Sequence, residues 1–514
     1  MPDAALPTPE GHGHVGTREI AFTRLLDPNP APFDNDKLRA LAQAMIIDDD
    51  ELDDGADGEE NLFVPAGYTY FGQFVDHDLT FDTTSSFDDL AARATDLRTP
   101  SLDLDCLYGS GPADQPYMYA VDGATLLPDD PGATDLLRIP AGNPAYGRAV
   151  IGDKRNDENS IVCQIQLAMI KFNNAVVRQF RGQGLTGDPL YRRARQEVTW
   201  TYQRIVFEDY LRRIVQTLTY DFFTQEQATK GDAAYRLYKP ALRSSIPIEF
   251  AAAAYRFGHS MVRTGYRLNT QTKRRIFDAS NSAQASLVGF QPLPPDHVID
   301  DWRRFFVDDS IPPGAALQVN GPPPVDDNPA VRLQWAYKID PSLVGPLAQL
   351  PTSIGIGSLA ALNLLRGNLP AFRLAPGQAF ADRLQVPPLD PKYLVTRVKN
   401  PDDSFGYRSI GEIDPSFLQK TPLWFYILAE AQVPVVDYWI DFKNKANMTD
   451  PDFMSGPGSR AQLGPVGGRI LMEVFSGLLD ADARSVRGPA AAGWQPLIGP
   501  KLTFWHLLRY AGLV

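Results

Sequence analysis

Residues 160–180 read SIVCQIQLAMIKFNNAVVRQF, and the apolar positions Ile161, Ile165, Leu167, Met169, Phe172, Val176 and Val177 recur at helical spacing. The stretch is a long helix, amphipathic or nearly buried. GQGLTG follows at 182–187. Its glycines have the spacing of a dinucleotide fingerprint but come after a helix where that fingerprint needs a strand, so the reading is an interhelical turn. GIGSLA at 355–360 is discounted as a similar weak match. Asp188 and Pro189 stand as N-cap and first-turn proline of a second long helix, DPLYRRARQEVTWTYQRIVFEDYLRRIVQTL, over 188–218. AAAAYRFGHSMVR (251–263), rich in alanine and free of proline, is a third. Alternating strand patterns are scarce and no period of 20–50 residues repeats. The expected fold class is mainly α, with long loops and little β-sheet.

The chain has 514 residues, 44% hydrophobic and 22% charged, enough apolar material for a large core. At about 150 residues per domain the length alone suggests some three domains. With 62 Asp and Glu against 49 Lys and Arg, the net charge of -13 repels phosphate backbones and anionic lipid, so nucleic acid is not an expected partner. Two cysteines, Cys106 and Cys163, exclude a disulfide framework or a Cys-rich zinc site. Residues 1–32 read as a flexible N-terminal arm. They lack the pattern of a signal peptide, and no run approaches a membrane span, so the expected location is cytoplasmic or non-classically secreted. Asp48–Glu60 lacks the oxygen ligands of an EF-hand at the required positions and reads as a solvated acidic loop, and 292–295 and 311–329 as Pro-rich surface excursions.

Three clusters carry candidate chemistry. In GQFVDHDLTFD (72–82), Gln73 and His77 share a helix face, and Asp76 and Asp78 project to either side. Burying carboxylates is costly unless they are paired, metal-bound or used chemically, so the cluster reads as a site, against the plain alternative of a solvent-facing turn. In TPSLDLDCLYGS (99–110), Thr99, Ser101, Asp103 and Asp105 alternate, which in extended chain points four oxygen groups to one side, as a hard cation such as calcium requires. A polar edge strand is the competing reading. In GDKRNDEN (152–159), Arg155 and Glu158 are three apart, a spacing that usually means a surface ion pair. His12, His14, His297 and His506 have no partner pattern, whereas His259 sits in the dense context YRFGHSMVR.

These clusters, followed by YRFGH (255–259) and LAALNLLRG (359–367), resemble the animal haem peroxidase family of the peroxidase-cyclooxygenase superfamily, in a form similar to its bacterial members and to myeloperoxidase. The resemblance runs from about residue 60 to the C-terminal region. It implies one helical catalytic domain over 33–514, because residues 76–78, 155–158, 256–259 and 363–366 would converge on one haem. His77 would be the distal histidine, Arg155 the distal arginine and His259 the proximal iron ligand. Asn363 would accept a hydrogen bond from the proximal imidazole, and Arg256 and Arg366 would bind haem propionates. Asp76 and Glu158 match carboxylates that form esters to haem b. Asp78 would join Thr99, Ser101, Asp103 and Asp105 around Ca2+, with Asp105 standing where family members often have Ser. Gln73 matches a glutamine associated with halide and water.

The implied activity is reduction of H2O2 through a ferryl intermediate, with halides, pseudohalides or phenolic donors oxidised and a part in the response to oxidative stress. Asn159 stands where myeloperoxidase has a methionine, which favours bromide, iodide or thiocyanate over chloride. The runner-up is a fatty-acid dioxygenase. There a radical tyrosine sits three residues before the proximal histidine, a place held here by Arg256, with Tyr255 one further away. A non-catalytic haem- or calcium-binding protein is the third reading, and the retained His77 and Arg155 speak against it.

Overall fold

The computed structural model describes residues 20–47, 59–80, 95–96, 99–239, 245–278, 280, 282, 284–307, 333–355, 357–400, 405–442 and 460–514. Helix α1 (Asn35–Ala44) starts at Asp34, whose carboxylate accepts from the backbone N–H of Asp36 and Lys37. Helix α2 (Gly67–Leu79) buries nearly every residue. It packs on α3 (Ser160–Gly182), which Asn159 caps by accepting from the N–H of Ile161 and Val162. By length and composition α3 could cross a membrane, but 89% of its apolar window is buried inside the protein, where it forms the central helix. The turn after it is the interhelical one expected, with Gly184 and Gly187 at positive φ.

The second long helix is shorter than its pattern suggested. Helix α4 runs Gly187–Ile205 with Thr186 at its N-cap and Asp188 in the first turn, and the chain then makes a π turn over Val206–Tyr210 and stops at Ile214. The extra residue of a π turn rotates the side chains that follow. Tyr210 thereby fills space against Gly72, where a Cβ would lie 2.4 Å from the phenol oxygen. Ala251–Arg263 is not one α-helix either: a short helix over Ile248–Ala252 gives way to a 3-10 stretch, Ala254–Met261. Helices α5 (Leu359–Asn368), α6 (Leu423–Ala431) and α7 (Pro465–Ala481) complete the frame. Buried Glu430 caps α7 by accepting from Val466 N and Gly467 N, each at 3.0 Å.

Strand is confined to two-stranded pairs among the described residues, such as the antiparallel hairpin of Val395–Lys399 with Phe405–Ser409. The mainly α class holds. Buried apolar side chains from Leu38 to Leu508 form one contiguous core. The described part of the 1–32 arm is tied down rather than free. Thr23 pairs with Ile246 and Ile248, Leu25 and Leu26 N–H donate to the Glu249 carboxylate, and Asn29 is buried. Backbone polar groups that leave water need such partners. Residues 1–19, 48–58 and 311–329 lie outside the described residues, and with them most of the acidic loop and the longer Pro-rich excursion.

Candidate active site

Helix α2 faces the 3-10 stretch Ala254–Met261 across a cleft. Gln73, Asp76, His77, Arg155, Glu158, Arg256, His259, Asn363 and Arg366 all line it, so residues scattered over almost 300 positions meet at one place. Ile276, Phe277, Leu347, Leu350, Leu359 and Leu362 give it an apolar wall. Apolar walls with a few convergent polar groups are what a flat, largely apolar cofactor needs.

On the α2 side, His77 is 4% exposed and its Nδ1 lies 2.7 Å from Asn156 Oδ1. Burial, then the nearby Arg155 guanidinium, lowers its pKa to about 4, so the imidazole is neutral at neutral pH. Arg155 is fixed by Asp153 (2.8 Å) and by the carbonyl oxygens of His77 (3.2 Å) and Thr80. It thus closes the C-terminus of α2, where a cation is favoured. Gln73 Nε2 donates to Glu158 Oε2 at 3.0 Å, and Asn159 Nδ2 donates to Gln73 Oε1 at 3.1 Å.

Two carboxylates in the same cleft have opposite settings. Burial raises Asp76, but Arg256, His77 and Arg155 outweigh it and hold the carboxyl below its ordinary range; Arg256 Nη1 is 3.7 Å away. Glu158 is pushed up to about 7 by burial, against the pull of Arg155.

Across the cleft, burial and then Arg256 lower His259 to about 3. Asn363 contacts His259 Nδ1 at 2.8 Å, but through Nδ2, the reverse of the accepting role expected of it, and Asn363 Oδ1 is left buried without a hydrogen bond. Turning the amide by 180° puts Oδ1 on Nδ1–H and leaves Nε2 bare, the arrangement that metal ligation needs. His297 has the plain role expected of it, a buried contact to Ser160 Oγ at 2.9 Å.

Asp78 points away from the cleft, into a cluster with Asp103 and Asp105 whose ligand oxygens lie within 4.8 Å of one another. Residues 99–105 are not the extended strand expected. Leu104 takes a left-handed conformation (φ 60°, ψ 37°), and Asp105 opens a short helix, Asp105–Tyr108. A bulky residue there costs of order 1–3 kcal/mol, and the turn aims the flanking carboxylates at one point, which alternation does not do. Leu104 N–H and Tyr202 Oη face Asp78 without closing an ordinary hydrogen bond, and both Asp78 oxygens are buried without one. Burial and then Asp105 push Asp103 up to about 7, and burial with Asp105 and Asp103 raises Asp78 as well. Ser101 is buried, and exposed Thr99 turns its backbone N–H to Asp105 Oδ2 at 3.5 Å.

Gly152 couples this cluster to the cleft. A Cβ at Gly152 would lie 2.6 Å from the carbonyl oxygens of Asp105 and Cys106, just before Asp153 and Arg155. Gly152→Ala is expected to destabilise the fold by about 1–3 kcal/mol. Thermal melting checks this, and an unchanged Tm would mean the two segments do not depend on that approach. Asn156, Gln166, Asp153 and Tyr210 were missed as site residues in the sequence, because amides and phenols at such separations form no motif.

The animal haem peroxidase model matches residues 90–299, which hold Asp103, Asp105, Arg155, Glu158, Arg256 and His259. That stretch of the chain is similar to the animal haem peroxidase domain. Heme peroxidase 2 of Caenorhabditis elegans is 26% identical over 209 residues, 37% of this chain and 29% of that protein. A peroxidasin homolog of Caenorhabditis briggsae is 28% identical over 113 residues, 22% of this chain. The chain thus spans well under half the length of these curated relatives, 8% in the second case. Peroxidase A of Dictyostelium discoideum shares the fold, with a TM-score of 0.58 at 13% identity over 92% of this chain and 89% of that one. So does fatty acid alpha-dioxygenase of Arabidopsis thaliana, at 0.51 and 14% over 88% and 71%. The domain's fold is therefore common to peroxidases and dioxygenases, and the side chains in the cleft must decide between them.

Proposed function

We propose that the chain is a haem peroxidase that reduces H2O2 and oxidises a small donor. The observation that carries this reading is a buried His77 sharing one cleft with His259, with Arg155 held beside it by Asp153 and the His77 carbonyl. The residues fit haem b. His259 would coordinate through Nε2, Arg256 and Arg366 would meet the propionates, and Asp76 and Glu158 both line the cleft where ester bonds to haem methyl groups would form. Bound haem supplies the redox chemistry, taking two electrons' worth of oxidation from peroxide and passing it to the donor.

The chain supplies the proton handling. His77 Nε2 takes a proton from the near oxygen of H2O2 and returns it to the departing oxygen as water leaves. The Arg155 guanidinium offsets the negative charge that develops as that bond breaks. Gln73, bridging Glu158 and Asn159, presents a polar edge for a small anion, and the donors proposed are bromide, iodide, thiocyanate or a phenol. Asp78, Asp103 and Asp105, with Ser101 and Thr99, are proposed to hold Ca2+, which would fix the C-terminal end of α2 beside His77.

A fatty-acid dioxygenase is the second reading, favoured by Tyr255 at the cleft wall and by the fold shared with alpha-dioxygenases. Arg256, paired with Asp76, occupies the place expected of a radical tyrosine, which weighs against it. The deciding test is the absorption spectrum of haem-loaded protein before and after one equivalent of H2O2. A Soret band that shifts and returns on adding bromide or a phenol supports the peroxidase. A band indifferent to peroxide, in protein that consumes O2 with a fatty acid, supports the dioxygenase. After peroxide cycling, haem is expected to stay with the chain in acidified organic solvent, and full release would remove the ester assignment.

A further inference from the structure

Asn156 and Gln166 take no part in the chemistry assigned above, yet both are fully buried and connected to the distal base. His77 Nδ1 is 2.7 Å from Asn156 Oδ1, and Asn156 Nδ2 is 2.8 Å from Gln166 Oε1. Their residue exposures are 0% for both amides and 4% for His77. The chain of contacts runs from α2 through the Lys154–Asp157 turn to the second turn of α3, the central helix.

An amide is polar end to end: its nitrogen only donates and its oxygen only accepts. With Asn156 Nδ2 spent on Gln166 Oε1, the atom presented to the imidazole is an acceptor, and an acceptor at 2.7 Å requires hydrogen on Nδ1. A neutral imidazole has one hydrogen, so Nε2 is then bare. We propose that Asn156 and Gln166 are positioning residues that hold His77 in the Nδ1–H tautomer, making Nε2 the proton-accepting atom in the cleft.

The two amides have one other self-consistent setting. Reversing both keeps the two hydrogen bonds but turns Asn156 Nδ2 toward the ring, which places the hydrogen on Nε2 and removes the base. The settings differ at the far end in whether Gln166 leaves Nε2 or Oε1 without a partner; in the structure it is Nε2. The choice between them rests on the peroxidase reading, because only the first gives His77 a free lone pair toward the cleft. Hydrogen bonds that orient a working imidazole commonly govern activity by about 10–100-fold.

The tautomer can be read without cofactor or turnover. In protein labelled with 15N-histidine and free of haem, with His77 assigned by the loss of its signals in His77→Ala, the 15N shifts report which nitrogen carries hydrogen. The expected result is Nδ1 protonated and Nε2 bare; hydrogen on Nε2 overturns the proposal. Gln166→Glu keeps an acceptor for Asn156 Nδ2 and is expected to preserve the Nδ1–H form, whereas Gln166→Leu releases the amide and mixes the tautomers. After haem loading, the rate with H2O2 is expected to fall about 10–100-fold in Gln166→Leu and to recover in Gln166→Glu. Equal rates in the two variants with an unchanged tautomer would reduce Gln166 to packing and overturn its role. If Gln166→Glu does not fold, the wild-type spectrum still decides. A wild-type protein with the expected tautomer that ignores peroxide would count against the peroxidase reading and leave the tautomer assignment standing.

Discussion

Replacing His77 by alanine is expected to slow the reaction of the haem-loaded protein with H2O2 by about 10²–10⁴-fold, the range for a positioned general acid and base. That equals about 3–5 kcal/mol of barrier. The loss should be in the bimolecular step with peroxide and not in haem binding, since His259, Arg256 and Arg366 are untouched. The histidine variant therefore separates proton transfer from cofactor retention. Burial and Arg155 hold the imidazole down to about 4, so the rate is expected to be level from pH 7 to about 5 and to fall as the pH drops through 4. The fall arises because a protonated Nε2 accepts nothing. Stopped-flow measurement of the rate against pH, in wild type and variant, tests both parts. A variant that reacts within threefold of wild type would remove His77 from the mechanism, and a wild-type profile breaking near 6.5 would show that burial and Arg155 do not hold the imidazole down.

The features legible in the sequence are those set by local pattern. The α3 helix follows from its apolar period, and Gln73 with His77 follow from a four-residue step on α2. The meeting of the four motif segments in one cleft was legible only through resemblance, because no local rule brings Asn363 to His259. What stayed hidden depends on distant partners. The π turn at 206–210 is matched to Gly72, more than a hundred residues away. The 3-10 winding of 254–261 occurs where alanine-rich sequence favours α, and tertiary packing against α2 and α6 overrides that weak preference. Leu104 looked like an ordinary β residue, and its left-handed turn follows from no pattern in 99–110. Asn156 and Gln166 are common residues whose importance is a matter of which atom faces which.

The acidic cluster gives the second large effect, since a cation should offset part of the stability lost as the pH rises. Without one, Asp103 is pushed up to about 7 and Asp78 is raised well above its ordinary range, whereas both sit near 3.8 in the unfolded chain. Between those values the folded state binds more protons than the unfolded state, so stability is full below about pH 4 and is lost as the pH rises toward 7 and beyond. Each proton taken up contributes about 1.4 kcal/mol per pH unit to that slope. Glu158 and Glu430, also raised to about 7, add slope of the same sign whether or not a cation is present. The difference between the two curves is what reports on the cluster. Calcium at about 100 times its Kd adds about 2.7 kcal/mol. Because protons compete with the ion for Asp78 and Asp103, this increment is expected to be largest above pH 7 and to shrink toward pH 5. Asp78→Asn should abolish the increment and flatten part of the slope, since it removes one of three charges that now repel one another. Thermal melts of chelated and calcium-loaded protein over pH 5–8 test this. Parallel curves, or a calcium increment that survives Asp78→Asn, would show that the three carboxylates do not form the site. They would then be a buried proton-sharing group, stabilising the end of α2 only when protonated.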